Sequence, residues 1–278
     1  MQLTVGPMVF EVTGYGPDDG EQVLLLHGFP EGARGWEPVA GLLATAGLRL
    51  AAPDQRGYSP GARPPGVDAY AIDRLVGDAL GILDALGWES AHVVAHDWGA
   101  VVGWVLAARH PGRVRTLTAV SVPHPASFGA ALLTDPDQQA RSQYMRLFRI
   151  EGKAEQVLAA DSGAALRRMM DGSGLDAAAV SAVVDPLLEA GALTAVLAWY
   201  RAMRTQDYAA VPAVGVPTTY VWGVEDIAVG RVAAQGCAAH VSGSYRFVPM
   251  EGIGHWVPEQ CPDVLASLVL ERVRDGPQ

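Results

Sequence analysis

Three residues of this chain have the types and the order needed for nucleophilic catalysis: Asp97, Asp226 and His255. Asp97 lies inside Val93 to Gly103, with an apolar run behind it, Ala95 two residues before, Gly99 two residues after, and a helical apolar pattern following. That is how a sharp strand-to-helix turn carrying a nucleophile at its tip is written. Small neighbours suit it because the turn is strained and larger side chains would strike the strand and helix around it. An acid at such a junction can also serve as a helix N-cap, so this stretch alone leaves both roles open. An aspartate, whose carboxyl ordinarily titrates at about 3.9, is ionised at neutral pH and needs no base to attack. Attack on an ester or amide carbonyl would give a high-energy anhydride, whereas attack on a saturated carbon gives an ordinary ester. The expected electrophile is an sp3 carbon bearing a leaving group, in an epoxide or a haloalkane.

The elements that must position these residues follow from the apolar pattern. Two β-rich stretches open the chain, and Gln22 to Leu26 is a continuous apolar run suited to a strand buried on both faces. It ends in His27, Gly28, Phe29, Pro30. Leu48 to Ala52 is the next strand, leading into Pro53 to Tyr58, where Asp54 and Arg56 read as turn-stabilising polar residues. A Pro/Gly loop at 60–66 precedes a predicted helix over Tyr70 to Leu86. The strand before Asp97, a helix from Gly99 to Arg109 and a strand from Arg115 to Val122 follow. Strand and helix in alternation imply an α/β chain with a mainly parallel sheet flanked by helices, whose ligands gather at the carboxyl ends of the strands.

From Pro125 to Pro212 the strand signals stop. Helices are expected at Gln138 to Phe148, Ala154 to Ala160, Ala164 to Met170, Ala177 to Glu189 and Leu193 to Arg204. Such an insertion would lie over the active face as a cap. The organisation expected is residues 1–124 as the first part of the core, 125–212 as a helical cap and 213–278 as the second part of the core. Strands return at Pro217 to Trp222 and Tyr245 to Met250, before a terminal helix from about Val264. The loops after those two strands hold Glu225, Asp226 and Gly254, His255, Trp256. Nucleophile, acid and base thus occur in chain order, each at a strand end.

Composition narrows the alternatives. Of the 278 residues half are hydrophobic, enough for one large core with an insertion. A net charge of −10 and no Lys/Arg-rich block argue against nucleic acid or an anionic membrane as partner. Of the 20 basic residues only Lys153 is lysine, which reads as a coding bias. Cys237 and Cys261 form no CxxC pair, so neither a disulfide framework nor a thiolate metal site is implied, and a reduced, cytoplasmic setting fits. No apolar run reaches the roughly 18 residues of a membrane span. His92 and His96, roughly 13 Å apart along a strand, are too distant to share a metal. His124 follows a strand and could line a pocket or serve packing and hydrogen bonding.

With these residues in view, the chain resembles α/β-hydrolases of the epoxide hydrolase group over nearly its whole length. His27, Gly28, Phe29, Pro30 is similar to the family's oxyanion loop, in which the Phe–Pro bond is cis, and His96, Asp97, Trp98, Gly99 to its nucleophile elbow. Gly223 to Asp226 and Gly254 to Trp256 resemble its acid and base loops. Ala95 stands where glycine is usual, as does Ser59. The resemblance implies Asp97 as nucleophile, His255 as base, Asp226 as its acid, and the backbone N–H groups of Phe29 and Trp98 as the oxyanion hole. Two segments, Gln143 to Phe148 and Leu197 to Arg201, resemble the family's tyrosine segments and offer Tyr144 and Tyr200 as donors to an epoxide oxygen. Tyrosine, with pKa near 10, is a suitable neutral donor; either could instead be an amphipathic packing residue.

The resemblance implies a small apolar epoxide and water as reactants, with no metal or organic cofactor. Related haloalkane dehalogenases share most of these motifs, and Trp98 could supply an indole N–H to a halide. A fluoroacetate-type dehalogenase fits less well, since its elbow has Arg where Trp98 stands. A ligand-binding relative with little turnover is a further alternative, against which the intact Asp97, Asp226, His255 set argues. Which epoxide, which enantiomer and which oligomeric state are left open.

Overall fold

In the computed structural model, which describes residues 1–276 apart from the side chains of Thr205 and Tyr208, eight strands form one sheet. They are β1 (Gln2–Val5), β2 (Met8–Tyr15), β3 (Glu21–Leu26), β4 (Leu48–Pro53), β5 (Ala91–His96), β6 (Val114–Val120), β7 (Thr218–Gly223) and β8 (Tyr245–Met250). Their order is β1-β2-β4-β3-β5-β6-β7-β8. The pairs β1–β2 and β2–β4 are antiparallel and all others parallel. The carboxyl ends of β3, β5, β7 and β8 therefore share one edge, where the candidate loops begin.

The period-two alternation of each strand divides its side chains between two cores. Val23 and Leu25 of β3 and Val94 of β5 join Val39 and Leu43 of α1 (Glu37–Thr45) on one face. Leu24 and Leu26, with Val93 and Ala95, face the other way, against Leu75, Val76 and Leu83 of α2 (Ile72–Ala85) and α3 (Trp98–Arg109). Each fully buried aliphatic side chain contributes about 1.5–3 kcal/mol, so a one-residue slip of β3 or β5 is strongly disfavoured. Register at these strands is what sets the depth of Gly28, Phe29 and Asp97.

Between β6 and β7 the regular elements are helices: α4 (Pro125–Thr134), α5 (Pro136–Arg141), α6 (Tyr144–Phe148), α7 (Lys153–Met169), α8 (Ala177–Val184), α9 (Ala192–Ala202) and α10 (Thr205–Ala209). The helix expected over Gln138 to Phe148 is two helices that meet at Ser142 and Gln143. The one expected over Ala177 to Glu189 tightens into a 3-10 turn at Asp185–Leu188, where Pro186 cannot donate to the α ladder. The separate helices expected at Ala154 and Ala164 are the two halves of α7, divided by non-helical backbone from Ala160 to Gly163. After β7 come α11 (Arg231–Gly236), α12 (Val257–Gln260) and α13 (Pro262–Arg274), the last packing with Leu265 and Val269 against α1.

Two polar residues read as turn stabilisers reach further than a turn. Arg56 pairs through Nε with Asp78 of α2 at 2.6 Å, both buried, and Asp54 accepts the Ala33 N–H at 2.7 Å. They tie the loop after β4 to neighbouring segments. Among the described residues no single helix is long and apolar enough to cross a membrane, although the bent pair Ala177–Leu188 and Ala192–Ala202 is so when its two halves are taken together.

Candidate active site

Asp97 sits between the end of β5 and the start of α3 with φ 52° and ψ −120°, a positive-φ conformation that a non-glycine residue adopts only under constraint. The constraint is visible in its neighbours. A side chain on Gly28 would collide with Asp97 itself, and one on Gly99 with the carbonyls of Leu26 and His27. Ala95, where glycine is usual in the resembling proteins, has its methyl beside the bare Cα of Gly103. The backbone N–H of Phe29 donates to Oδ1 of Asp97 at 2.8 Å. Trp98 supplies the first N–H of α3, a group with no acceptor inside its own helix. The Phe29–Pro30 bond is cis, as the resemblance implies.

His255 and Asp226 complete the arrangement. Nδ1 of His255 lies 3.0 Å from each carboxylate oxygen of Asp226, and Nε2 lies 3.6 Å from Oδ2 of Asp97. Asp226 is fully buried, and its Oδ1 also accepts the N–H groups of Ala228 and Val229 at 2.7 and 3.0 Å. Burial alone would raise the Asp226 carboxyl, but the His255 charge and these donors outweigh it and hold it below the usual range. Burial would likewise push the His255 imidazole down, yet the two carboxylates around it hold it well above its ordinary value. Asp97 is depressed by the same pairing, against its own burial.

Tyr144 opens α6 and Tyr200 lies in α9, and both reach the same place. One cavity of about 380 Å³ is lined by Asp97, His255, Phe29, Tyr144 and Tyr200, with Leu147, Phe148, Leu158, Met169 and Trp256 among its apolar walls. Its lining comes from the core loops and the helical insertion together. The Tyr144 and Tyr200 rings meet edge to face at 6.2 Å, and each packs on Phe148. Burial first, then the charges of Tyr144 and Asp97, holds the Tyr200 hydroxyl well above 10. Trp98 lies edge-on to Tyr200 at 4.9 Å. His124 does not line this cavity; its imidazole bonds the backbone at Ala126 and Pro212.

A family model described as the alpha/beta hydrolase fold matches residues 22–261. The chain belongs to that family. Within it, this α/β-hydrolase is 33% identical to epoxide hydrolase A of Mycobacterium tuberculosis over 90% of its own length and 89% of that protein. It is 34% identical to the AB hydrolase superfamily protein YfhM of Bacillus subtilis over 96% of this chain and 95% of that one. A Bacillus megaterium epoxide hydrolase solved with an inhibitor superimposes with a TM-score of 0.90 at 26% identity, covering 99% of this chain and 100% of that one.

Several groups around the hydrolase site escaped the sequence reading. Glu31, next to Pro30, is 2% exposed, with Oε2 3.3 Å from Nδ1 of His96, and burial raises its carboxyl above the usual range. Burial first, then the Glu31 charge, holds Glu259 well above the carboxylate range. Nε2 of His96 and Oγ of Ser121 both donate to the His255 carbonyl, at 2.9 and 2.8 Å, fixing the backbone behind the base. Tyr58 donates to the Gly28 carbonyl at 3.2 Å. Arg141 of α5 bonds the Asp226 carbonyl, so the insertion also touches the acid loop. Position was the available signal for the two acids: Glu31 directly follows the His27–Pro30 run, and Glu259 lies four residues beyond His255.

Proposed function

We propose that this α/β-hydrolase is an epoxide hydrolase that opens an epoxide to a vicinal diol through a covalent ester on Asp97. The observation that carries the reading is the shared cavity: a depressed carboxylate faces two tyrosines across an apolar space, with a histidine–aspartate pair beside it. In this reading the core is residues 1–124 and 213–278, and residues 125–212 are a cap that brings the tyrosines. A cytoplasmic setting belongs to the same reading, and both cysteines are free thiols.

Oδ1 of Asp97 is held by the Phe29 N–H, so Oδ2 is the attacking atom. As its bond to the epoxide carbon forms, the ring C–O bond breaks and the oxygen takes a proton from Tyr144 or Tyr200. The resting pair is Asp97 carboxylate with His255 imidazolium. Esterification removes the Asp97 charge, so His255 loses one of the two carboxylates that raise it. Its proton restores the tyrosine, and the neutral imidazole becomes a base at the moment one is needed. It deprotonates water, which attacks Cγ of Asp97. The oxyanion forms on Oδ1 against the N–H groups of Phe29 and Trp98, then collapses, and the departing diol oxygen takes the remaining proton. Loss of one such donor typically costs about 100-fold or more in rate. Water is the nucleophile of the second step; the other groups in the scheme belong to the protein.

A haloalkane dehalogenase would use the same nucleophile but needs the Trp98 indole for halide, and the Trp98 ring packs edge-on against Tyr200. The test is to expose His255→Gln separately to a panel of epoxides and a panel of bromoalkanes and read the intact mass. An adduct with the full mass of an epoxide, mapped to Asp97, is expected. An alkyl adduct lacking bromine, formed only with bromoalkanes, would make the enzyme a dehalogenase. No adduct from either panel would favour a binding role.

A further inference from the structure

The helical insertion leaves the sheet at His124–Pro125 and returns at Pro212, and one imidazole touches both crossings. Nδ1 of His124 accepts the Ala126 N–H at 3.2 Å, capping α4, and Nε2 lies 3.0 Å from the Pro212 carbonyl oxygen. A backbone N–H only donates and a carbonyl only accepts, so the ring is the neutral tautomer with its hydrogen on Nε2. The ring itself is fixed from all sides. It is fully buried, stacked on His240 at 4.8 Å and 10°, and edge-on to Trp104 at 5.4 Å. The backbone N–H of His124 donates to Cys237 Sγ at 3.3 Å, and the returning chain is fastened again where Val214 N–H donates to the His240 carbonyl at 2.9 Å.

The catalytic groups divide along the same line. Asp97, Asp226 and His255 stand on loops of the sheet, whereas Tyr144 and Tyr200 belong to the segment that the two crossings carry. We propose that His124 is a positioning residue for ring opening: by clamping the exit and return of residues 125–212 to one ring, it sets where Tyr144 and Tyr200 stand over Asp97. The inference rests on the roles proposed above for those three residues. It makes a distinction that a general stabilising role would not. Ester formation uses catalytic side chains from both sides of the hinge, while those of ester hydrolysis all stand on sheet loops, which the insertion touches through Arg141 at the Asp226 carbonyl, so weakening the clamp slows the first step more than the second.

Two substitutions separate the two bonds of the ring. His124→Asn keeps a side-chain acceptor suited to capping α4 but is too short to reach Pro212. His124→Gln carries an amide N–H about as far out as Nε2 and gives up the cap. Both variants and the native enzyme are mixed with styrene oxide, or with the panel epoxide that alkylates His255→Gln, then quenched, and adduct growth and decay are followed by intact mass. Adduct amplitude reports the folded, active fraction, so partial misfolding lowers amplitude without changing either rate constant. We expect His124→Asn to alkylate about fivefold more slowly, the worth of one neutral hydrogen bond, with decay of the adduct slowed less, and His124→Gln to alkylate near the native rate. A native alkylation rate in His124→Asn, or an equal fall in both steps, overturns the inference while leaving the epoxide reading intact. No adduct from the native enzyme or from His255→Gln with any epoxide overturns that reading, and this inference with it.

Discussion

Asp97 presents two unequal carboxylate oxygens, Oδ1 bound to the Phe29 N–H and Oδ2 facing His255, and this asymmetry makes separate predictions for the two half-reactions. Asp226→Asn removes the stronger of the two charges that raise His255 and leaves Asp97 in place. Alkylation should therefore persist, while breakdown of the ester falls about 10³-fold or more, as when the acid of a comparable triad is lost; single-turnover mass measurements would show adduct accumulating. Tyr200→Phe should slow alkylation about 10- to 100-fold and leave ester hydrolysis unaltered, because Tyr144 still donates. Burial and the nearby Asp97 charge keep the Tyr200 hydroxyl protonated above pH 10. The alkylation rate of His255→Gln should consequently stay level from pH 7 to 10; a decline beginning at pH 9 would mean that the proton donor is an ordinary, solvated phenol.

Around the elbow, the backbone carbonyls of Leu26 and His27 occupy the space a side chain at position 99 would need. Gly99→Ala should lower stability by about 1–3 kcal/mol through overpacking and reduce alkylation further by shifting Asp97, measurable as a lower urea midpoint together with a slower adduct rate. That element was legible because its requirements are local: an apolar strand, small flanking residues and a helix must lie next to each other in the chain. β8 was expected at Tyr245 to Met250 and lies there, because its run is bounded by polar and glycine residues on both sides. α1 and α4 went unrecognised. Only Val39, Ala40 and Leu43 of α1 are buried, and α4 is so rich in small residues that no helical stripe stands out. Glu31 and Glu259 were missed for another reason: their interaction joins residues far apart in the chain, and nothing in either local pattern marks a buried acid. Arg56 and Asp78 share that difficulty.

At the level of the whole molecule, two histidines far from the catalytic pair make folding sensitive to acid. His92 bonds the Thr116 hydroxyl at 2.8 Å beneath the sheet, with Glu21 3.8 Å from its other nitrogen and Arg115 nearby. Burial, then Arg115, pushes its pKa down to about 4 against the pull of Glu21. Burial, with His240 alongside, takes His124 down to about 4 as well, despite the Pro212 carbonyl. In the unfolded chain both titrate near 6.5. Between those values the unfolded chain binds more protons than the folded one, so stability is full above pH 6.5 and falls as pH drops toward 4. At pH 4.5 each histidine should cost about 2–3 kcal/mol relative to pH 7.5, since one pKa unit is about 1.4 kcal/mol. Carboxylates also respond to acid, so the comparison has to cancel them: urea unfolding of the native protein and of His92→Gln at both pH values. The variant should start from its own stability at pH 7.5 and lose about 2–3 kcal/mol less than the native protein on acidification. Equal losses in the two proteins would show that His92 titrates alike in the folded and unfolded states.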